Sequence, residues 1–283
     1  MTSQRMAKLL LVVGVAVIGF YWYPEQWPAS GLVDDLYANA ATSILSISVV
    51  VLLIDRMNER RDALQNKERL IREMGSGDSA TASRATKEVA AGGWLSDGSL
   101  IDADLSGANL TGVRLKQAKL MGADLSRSVL QDSELQQCDL SNAVLKQVSA
   151  EGCNLKGALL ISANLRGAGL SGAVLDEADL SGGGDFLKAE FVKASARNAN
   201  FSKASLDSCD LRNCDFTGAN LGNASFTGAV VSGAIFDGAN LERADLLEVR
   251  DWDAIQSMNG AQLAGARMTE EFREFARGLG AEF

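Results

Sequence analysis

Histidine is absent from the 283 residues. That removes the commonest general base, the Ser–His and Cys–His dyads, and most zinc and haem sites. Proline occurs only twice, and both copies, Pro24 and Pro28, fall in one short link. Cysteine occurs four times, as Cys138, Cys153, Cys209 and Cys214. Without histidine or metal-ligand spacing these thiols do not read as a metal site, and unpaired thiols agree with a cytoplasmic location. Basic residues are outnumbered, 27 against 36 acids, for a net charge of −9. The imbalance is local. Residues 1–95 carry 10 of each sign, residues 96–250 carry 20 acids against 14 bases, and the tail carries 6 against 3. An acidic central region disfavours direct nucleic-acid binding through a basic surface.

What the sequence has in abundance is a five-residue period. From Leu100 an apolar residue recurs as Leu105, Leu110, Leu115, Leu120, Leu125, Leu130, Leu135, Leu140 and Leu145, gives way to Ala150, and resumes from Leu155 to Leu180. One extra residue follows within Ser181-Gly182-Gly183-Gly184-Asp185. The period then restarts one place later, at Phe186, Phe191, Ala196, Phe201, Leu206, Leu211, Phe216, Leu221, Phe226, Val231, Phe236, Leu241 and Leu246. A small residue stands two places before nearly every centre. Asp or Asn often stands just before it, as in Ala103-Asp104-Leu105 and Ala219-Asn220-Leu221.

Neither regular element accommodates this. Five residues advance an α-helix by about 140°, which sprays the leucines around the cylinder. An odd period on a strand sends successive leucines to opposite faces. Only a chain that turns once per repeat presents the same side chains inward each time, which is a solenoid. The A(D/N)LXX pattern resembles the pentapeptide-repeat family over about residues 95–250. That resemblance implies an all-β solenoid, a right-handed quadrilateral β-helix with four repeats per coil. About 30 repeats then make a rod of roughly 36 Å at ~4.8 Å per coil.

The N-terminal quarter is different. Leu9–Tyr23 is an uncharged run ending in aromatics, and Leu36–Ile54 is a second, with Ala38, Thr42 and Ser46 spaced four apart as a helix–helix face. Trp22, Tyr23 and Trp27 look like an interfacial belt. Arg5 and Lys8 precede the pair, Arg56, Arg60, Arg61, Lys67, Arg69 and Arg72 follow it, and the link holds Glu25, Asp34 and Asp35. The positive-inside rule makes this a two-helix transmembrane hairpin over 1–54 in a bacterial inner membrane, with both termini and the solenoid cytoplasmic. The competing readings are a cleaved signal peptide at Ala29-Ser30-Gly31 and a pair of buried helices.

Residues 55–93 read as a juxtamembrane helix with a weak heptad seam at Met57, Leu64 and Ile71, then a break at Gly75-Ser76-Gly77. A second helix, N-capped by Asp78, covers the first coil of the solenoid over 94–250. Residues 251–283 hold a closing helix capped by Thr269, with Phe272, Phe275, Ala276 and Leu279 on one face. In gyrase-binding relatives such a helix makes a dimer contact. Here a lid and a homodimer contact, through this helix or the juxtamembrane one, stand as alternatives.

No grouping calls for catalysis, a cofactor or a metal. The four cysteines occupy the small inward slot two places before a centre. Asp104, Asp124, Asp139, Asp179, Asp210, Asp215 and Asp245 share a slot with Asn109, Asn154, Asn164, Asn200, Asn220 and Asn240, where they would bond turn backbone. The sequons at Asn109, Asn200 and Asn223 are products of the repeat. Gly182-Gly183-Gly184 lacks the Lys and Ser/Thr of a phosphate loop and would absorb the inserted residue. Ala150 and Ala196 would mark a narrowing or a gap filled by phenylalanines. The expectation is a non-enzymatic, membrane-anchored interaction scaffold that meets an unidentified protein partner through its outer surface. The alternatives are a DNA-mimicking modulator of a type II topoisomerase such as gyrase, and a membrane effector of a toxin or phage-defence system.

Overall fold

The computed structural model describes Lys8, Val12, Val15 and residues 31–283, but no side chain of residues 31–38 or of Ala41. The chain divides into two compact units, Met1–Glu68 and Arg69–Phe283. Helix α1, Gly31–Met74, begins in the first. Beyond Gly31 it contains neither Gly nor Pro, so nothing interrupts the i→i−4 ladder between the second apolar run and the polar stretch after it. Thr42 and Ser48 bond back to the carbonyls of Asn39 (3.0 Å) and Ile44 (2.7 Å). Thr42 and Ser46 are exposed, as are Met57 and Leu64 of the heptad seam.

The transmembrane hairpin is not shown. Among the described residues no helix is long and apolar enough to cross a membrane. The first apolar run lies outside the described residues save Val12 and Val15. The second is fully described only from Thr42 to Ile54, about 13 residues or ~20 Å of helix, against the ~30 Å of a bilayer core.

In the second unit, Leu70 and Met74 at the end of α1 are buried, and Ile71 packs against the core. Asp78 accepts from the N–H of Thr81 (2.8 Å) and its hydroxyl (2.6 Å), opening helix α2, Ser79–Ala91. Ala82, Ala85, Thr86 and Val89 form its buried face. Arg84 ties the two helices by reaching Glu73 (2.6 Å) and Glu88 (3.0 Å). The link also closes the solenoid's first edge: Asn109 N–H donates to Ser76 O, and Lys119 N–H to Leu95 O, both at 2.8 Å. These bonds satisfy donors that an open coil would leave bare.

Each repeat of the solenoid contributes a corner and one bridge. At Leu105 the corner runs Leu105-Ser106-Gly107-Ala108, closed by Ala108 N–H to Leu105 O at 3.1 Å, with Gly107 at φ +68°. A positive φ at the third residue is what a type II turn demands. The same sign recurs every five residues on non-glycines too, from Gln117 (+59°) to Arg243 (+56°). Leu105 N–H and Gly107 N–H donate upward to Asp124 O (2.8 Å) and Ser126 O (2.9 Å), while Asp124 N–H donates down to Ala103 O (3.0 Å).

Parallel bridges join residues 20 apart, as Asp104↔Asp124↔Val144↔Asn164, so four repeats make one coil. The expected all-β rod needs one correction: in the described residues no extended strand forms, and each side is an isolated bridge. Two of every five residues are spent in a corner, which leaves too little chain between corners for a strand. The register steps to 21 at Asn164↔Asp185 and to 22 at Ile235↔Ser257. The first step is absorbed by Gly182 (φ +81°) and Gly183 (φ +78°), the second around a 3₁₀ turn, Trp252–Ala254.

The inward residues fill the tube. Every centre from Leu100 to Leu246 and nearly every small residue two places before it is buried. Ala196 shares its coil with Phe186, Phe191 and Phe201, whose rings lie 6.0–6.2 Å apart and occupy the space a fourth large side chain would need. At Ala150 the sizes are exchanged instead, with buried Val148 in the slot that elsewhere is mostly Ala.

The far end closes with helix α3, Glu270–Gly278, N-capped by Thr269 on the N–H of Phe272 at 3.2 Å. Phe272 and Ala276 are buried, and Trp252 meets Phe272 and Phe275 with ring centroids 5.4 Å away in each case. The chain then returns to the last coil: Leu263 N–H donates to Glu282 O (2.7 Å), and Glu282 N–H to Ala261 O (2.8 Å). The helix thus packs on the end of the solenoid, as a lid would, and a homodimer contact is not shown.

Candidate interaction surface

Chemistry inside the rod is closed off. All four cysteines are buried and unpaired with one another. Cys138 donates to Leu115 O at 2.7 Å and Cys209 to Phe186 O at 2.9 Å. Burial pushes the thiols of Cys138, Cys153 and Cys209 up to about 12, and that of Cys214 well above its ordinary value. Such thiols are neither nucleophiles nor metal ligands at neutral pH. Among the described residues no group of Cys, Asp and Glu is placed to hold a metal ion.

The acids before the centres are turn caps. Asp104 accepts from Ser106 N–H (3.0 Å), Asp124 from Ser126 (2.8 Å), Asp139 from Ser141 (3.1 Å) and Asp179 from Ser181 (3.0 Å). Asp210, Asp215 and Asp245 accept likewise from Arg212, Thr217 and Leu247. The asparagines of the slot make the same contact at Asn109, Asn154, Asn164, Asn200, Asn220 and Asn240. The Ser106 hydroxyl and N–H hold the Asp104 carboxyl below its usual range, and the Arg212 guanidinium does so for Asp210. These carboxylates are committed to the backbone of their own turns.

Two features were not read from the sequence. Polar side chains form ladders up the rod. Asn240 Nδ2 donates to Asn220 Oδ1 (3.4 Å), Asn220 to Asn200 (3.1 Å), and Asn200 to Asp179 (3.1 Å). Asp176, Asp207 and Asp237 reach one coil up, to Arg197 N–H (3.1 Å), Thr227 N–H (3.2 Å) and Asn259 N–H (2.9 Å). The second feature is the distribution of bases. Most of the solenoid's ion pairs join neighbouring coils, as Arg114–Glu134 (3.1 Å), Lys156–Glu177 (3.1 Å), Arg197–Asp215 (2.6 Å) and Arg267–Asp245 (2.7 Å). Arg212 instead grips Asp210 of its own repeat at 2.6 Å. One corner differs, where Arg127, Lys146, Arg166 and Lys188 lie on consecutive coils beside a groove of about 840 Å³. Rows of 20 would have aligned Asn200, Asn220 and Asn240 and brought Arg127, Lys146 and Arg166 within one place of each other, but the inserted residue puts Lys188 and Asp179 out of line.

The repeats match the family description "Pentapeptide repeats" in 8 copies, over residues 95–127, 108–147, 123–160, 153–183, 182–213 and 214–247. The chain belongs to the pentapeptide repeat family. The chain is similar to several solved structures. HetL from the cyanobacterium Nostoc, involved in heterocyst differentiation regulation, is 27% identical, with 59% of this chain and 84% of HetL covered and a TM-score of 0.38. QnrB1, a plasmid-mediated fluoroquinolone resistance protein, is 19% identical over 63% of this chain and 91% of its own, with a TM-score of 0.44. A pentapeptide repeat protein of the Arabidopsis thaliana thylakoid lumen is 32% identical over 47% and 69%, with a TM-score of 0.13. No curated protein matches the chain.

Proposed function

We propose that this pentapeptide repeat protein is a membrane-anchored, non-enzymatic scaffold. It meets a protein partner through the outer surface of its solenoid on the cytoplasmic face of a bacterial inner membrane. The observation that carries the scaffold reading is the filled interior: centres and small residues are buried from Leu100 to Leu246, so recognition falls to the corners and sides. Support for the anchor comes from the two apolar runs with basic outer flanks. Ile47, Val50, Leu53 and Ile54 on α1 are also more than half exposed, a patch that water disfavours and lipid accepts. Met57 and Leu64, exposed on the same helix, are the seam at which two copies would pair.

The topoisomerase alternative calls for a strongly acidic face, and residues 96–250 hold only 20 acids against 14 bases, four of these bases gathered at the corner of Arg127, Lys146, Arg166 and Lys188. The test is carbonate extraction of cell membranes, with labelling of intact cells by an impermeant maleimide after Ser30→Cys. The native thiols are buried, so the introduced one reports alone. Resistance to extraction with labelling at position 30 supports the anchored, inward-facing arrangement. Free extraction overturns it.

A further inference from the structure

We infer that the corner formed by Arg127, Lys146, Arg166 and Lys188 is a docking strip for an acidic, extended protein segment. The register places it: the bridges Asp124↔Val144, Val144↔Asn164 and Asn164↔Asp185 lie just before these four bases, so one corner of four consecutive coils holds them. Lys146 and Arg166 are the first of its two central residues, and Arg127 and Lys188 the second. All four are exposed. At about 4.8 Å per coil the strip is ~14 Å long. It begins above Ser106-Gly107 and ends below Asp207, which is engaged with Ser225 and Thr227.

Clustering singles this corner out. Some bases of the rod pair with carboxylates a coil away or within the same repeat. Others, such as Lys116, Lys193 and Lys203, stand unpaired at other corners, but among the described residues only here do four unpaired bases fall on four consecutive coils. None of these four makes an ion pair among the described residues; Arg127 meets only Gln147 Oε1, at 3.4 Å. The nearest acids in the wall, Asp124 and Asp185, have their Oδ1 atoms turned to Ser126 N–H (2.8 Å) and Leu187 N–H (3.0 Å). Four like charges closer together than a Debye length repel one another, and a bound polyanion relieves that repulsion.

Width selects the kind of polyanion. Asp104, Asp124 and Asp185 flank the corner on one side, Glu190 and Asp210 on the other. A nucleic-acid duplex, roughly 20 Å across, would cover them and meet like charge. An extended peptide is narrow enough to follow the corner, and its alternate side chains, spaced ~6.7 Å, set about three carboxylates along the strip. The occupant is therefore a segment of about five residues with alternating Asp or Glu.

This inference rests on the scaffold reading, naming the chemistry of its partner. It is tested with the purified full-length chain and a fluorescent peptide of alternating Glu and Ser, by anisotropy at about 50 mM and about 200 mM salt. The corner variant carries Arg127→Gln, Lys146→Gln, Arg166→Gln and Lys188→Gln. The control removes the same charge from paired positions, with Arg114→Gln, Lys156→Gln, Arg197→Gln and Arg212→Gln. Expected are saturable binding that weakens with salt, a loss of about tenfold or more in the corner variant, and a change within about twofold in the control. No binding by the wild type, an equal loss in both variants, or tighter corner-dependent binding of an oligo-dT strand of matched charge overturns it. Carbonate extraction is independent of this readout. A resistant protein that ignores the peptide loses the strip and keeps the anchor, and an extractable one that binds it does the reverse.

Discussion

Phe216 and Phe236 sit one coil apart in the same column, with ring centroids 5.3 Å apart and planes within 6° of parallel. The coil rise sets that separation, so the pair is both core and ruler. Phe201 and Phe226 brace it edge-on, at 5.6 Å from Phe216 and 6.4 Å from Phe236. Phe216→Ala removes a buried ring that the stacked coils cannot easily collapse around. A loss of about 3–5 kcal/mol is expected, and of less than about 1.5 kcal/mol for Phe216→Leu, measured by urea unfolding. Similar losses for the two would mean the column is not close-packed.

Two glycines at equivalent corners separate backbone strain from crowding. Gly233 (φ +71°) has Asn213 Oδ1 where a Cβ would stand, whereas Gly238 (φ +63°) has nothing within 4 Å. Gly238→Ala is expected to cost about 1–2 kcal/mol, the price of a left-handed non-glycine residue. Gly233→Ala should cost more, and Asn213→Ala in the same chain should narrow the difference. Equal losses in thermal unfolding would remove crowding as the cause.

The thiols predict an alkaline weakness. In the folded chain Cys138, Cys153 and Cys209 hold their protons to about 12 and Cys214 is raised as well, while the unfolded chain releases them near the ordinary value of 9.0. Above that value the folded state binds more protons, so stability falls as pH rises, by up to about 1.4 kcal/mol per thiol per pH unit. The contribution is fully present below pH 9.0. Thermal unfolding from pH 8 to 11 should drop more steeply in the wild type than in the variant with all four cysteines changed to Ala. The wild-type thiols should also resist an aromatic disulfide reagent until the chain is unfolded.

The amide ladder should stiffen the face it climbs. Asn220 donates to Asn200, accepts from Asn240, and caps Gly222 N–H at 3.2 Å. Asn220→Ala removes three contacts at a part-buried site, for an expected loss of about 1–3 kcal/mol. Faster amide exchange at Gly222 than at Gly218 of the neighbouring corner would locate the effect. An unchanged rate at Gly222 would show that the ladder contributes nothing there.

Removing the lid should trade solubility for exposed edge. Without residues 269–283, Leu263 N–H and Ala261 O lose Glu282, and Trp252 loses Phe272 and Phe275. Concentration-dependent association of the truncated chain is expected in light scattering, through the bared last coil. A monodisperse truncated chain would assign the lid another role.

The sequence by itself determined the coil. A side chain every fifth place can be buried only if the chain turns once per repeat, and the small residue, the Asp or Asn cap and the cysteine slots follow from that geometry. Asp78 and Thr269 were legible as caps because N-capping is local chemistry. What lies across coils was not legible in the same way. Neighbours up the rod are 20 residues apart except in the coil that spans the glycine insertion, where the step is 21, and across the turn at Trp252–Ala254, where it is 22. The amide ladder, the unpaired basic corner, the exchange of sizes at Val148 and Ala150, and the return of Glu282 to the last coil all depend on how the backbone closes each turn. Local pattern sets what one repeat buries. Only the stacked structure decides which side chains come to stand above one another.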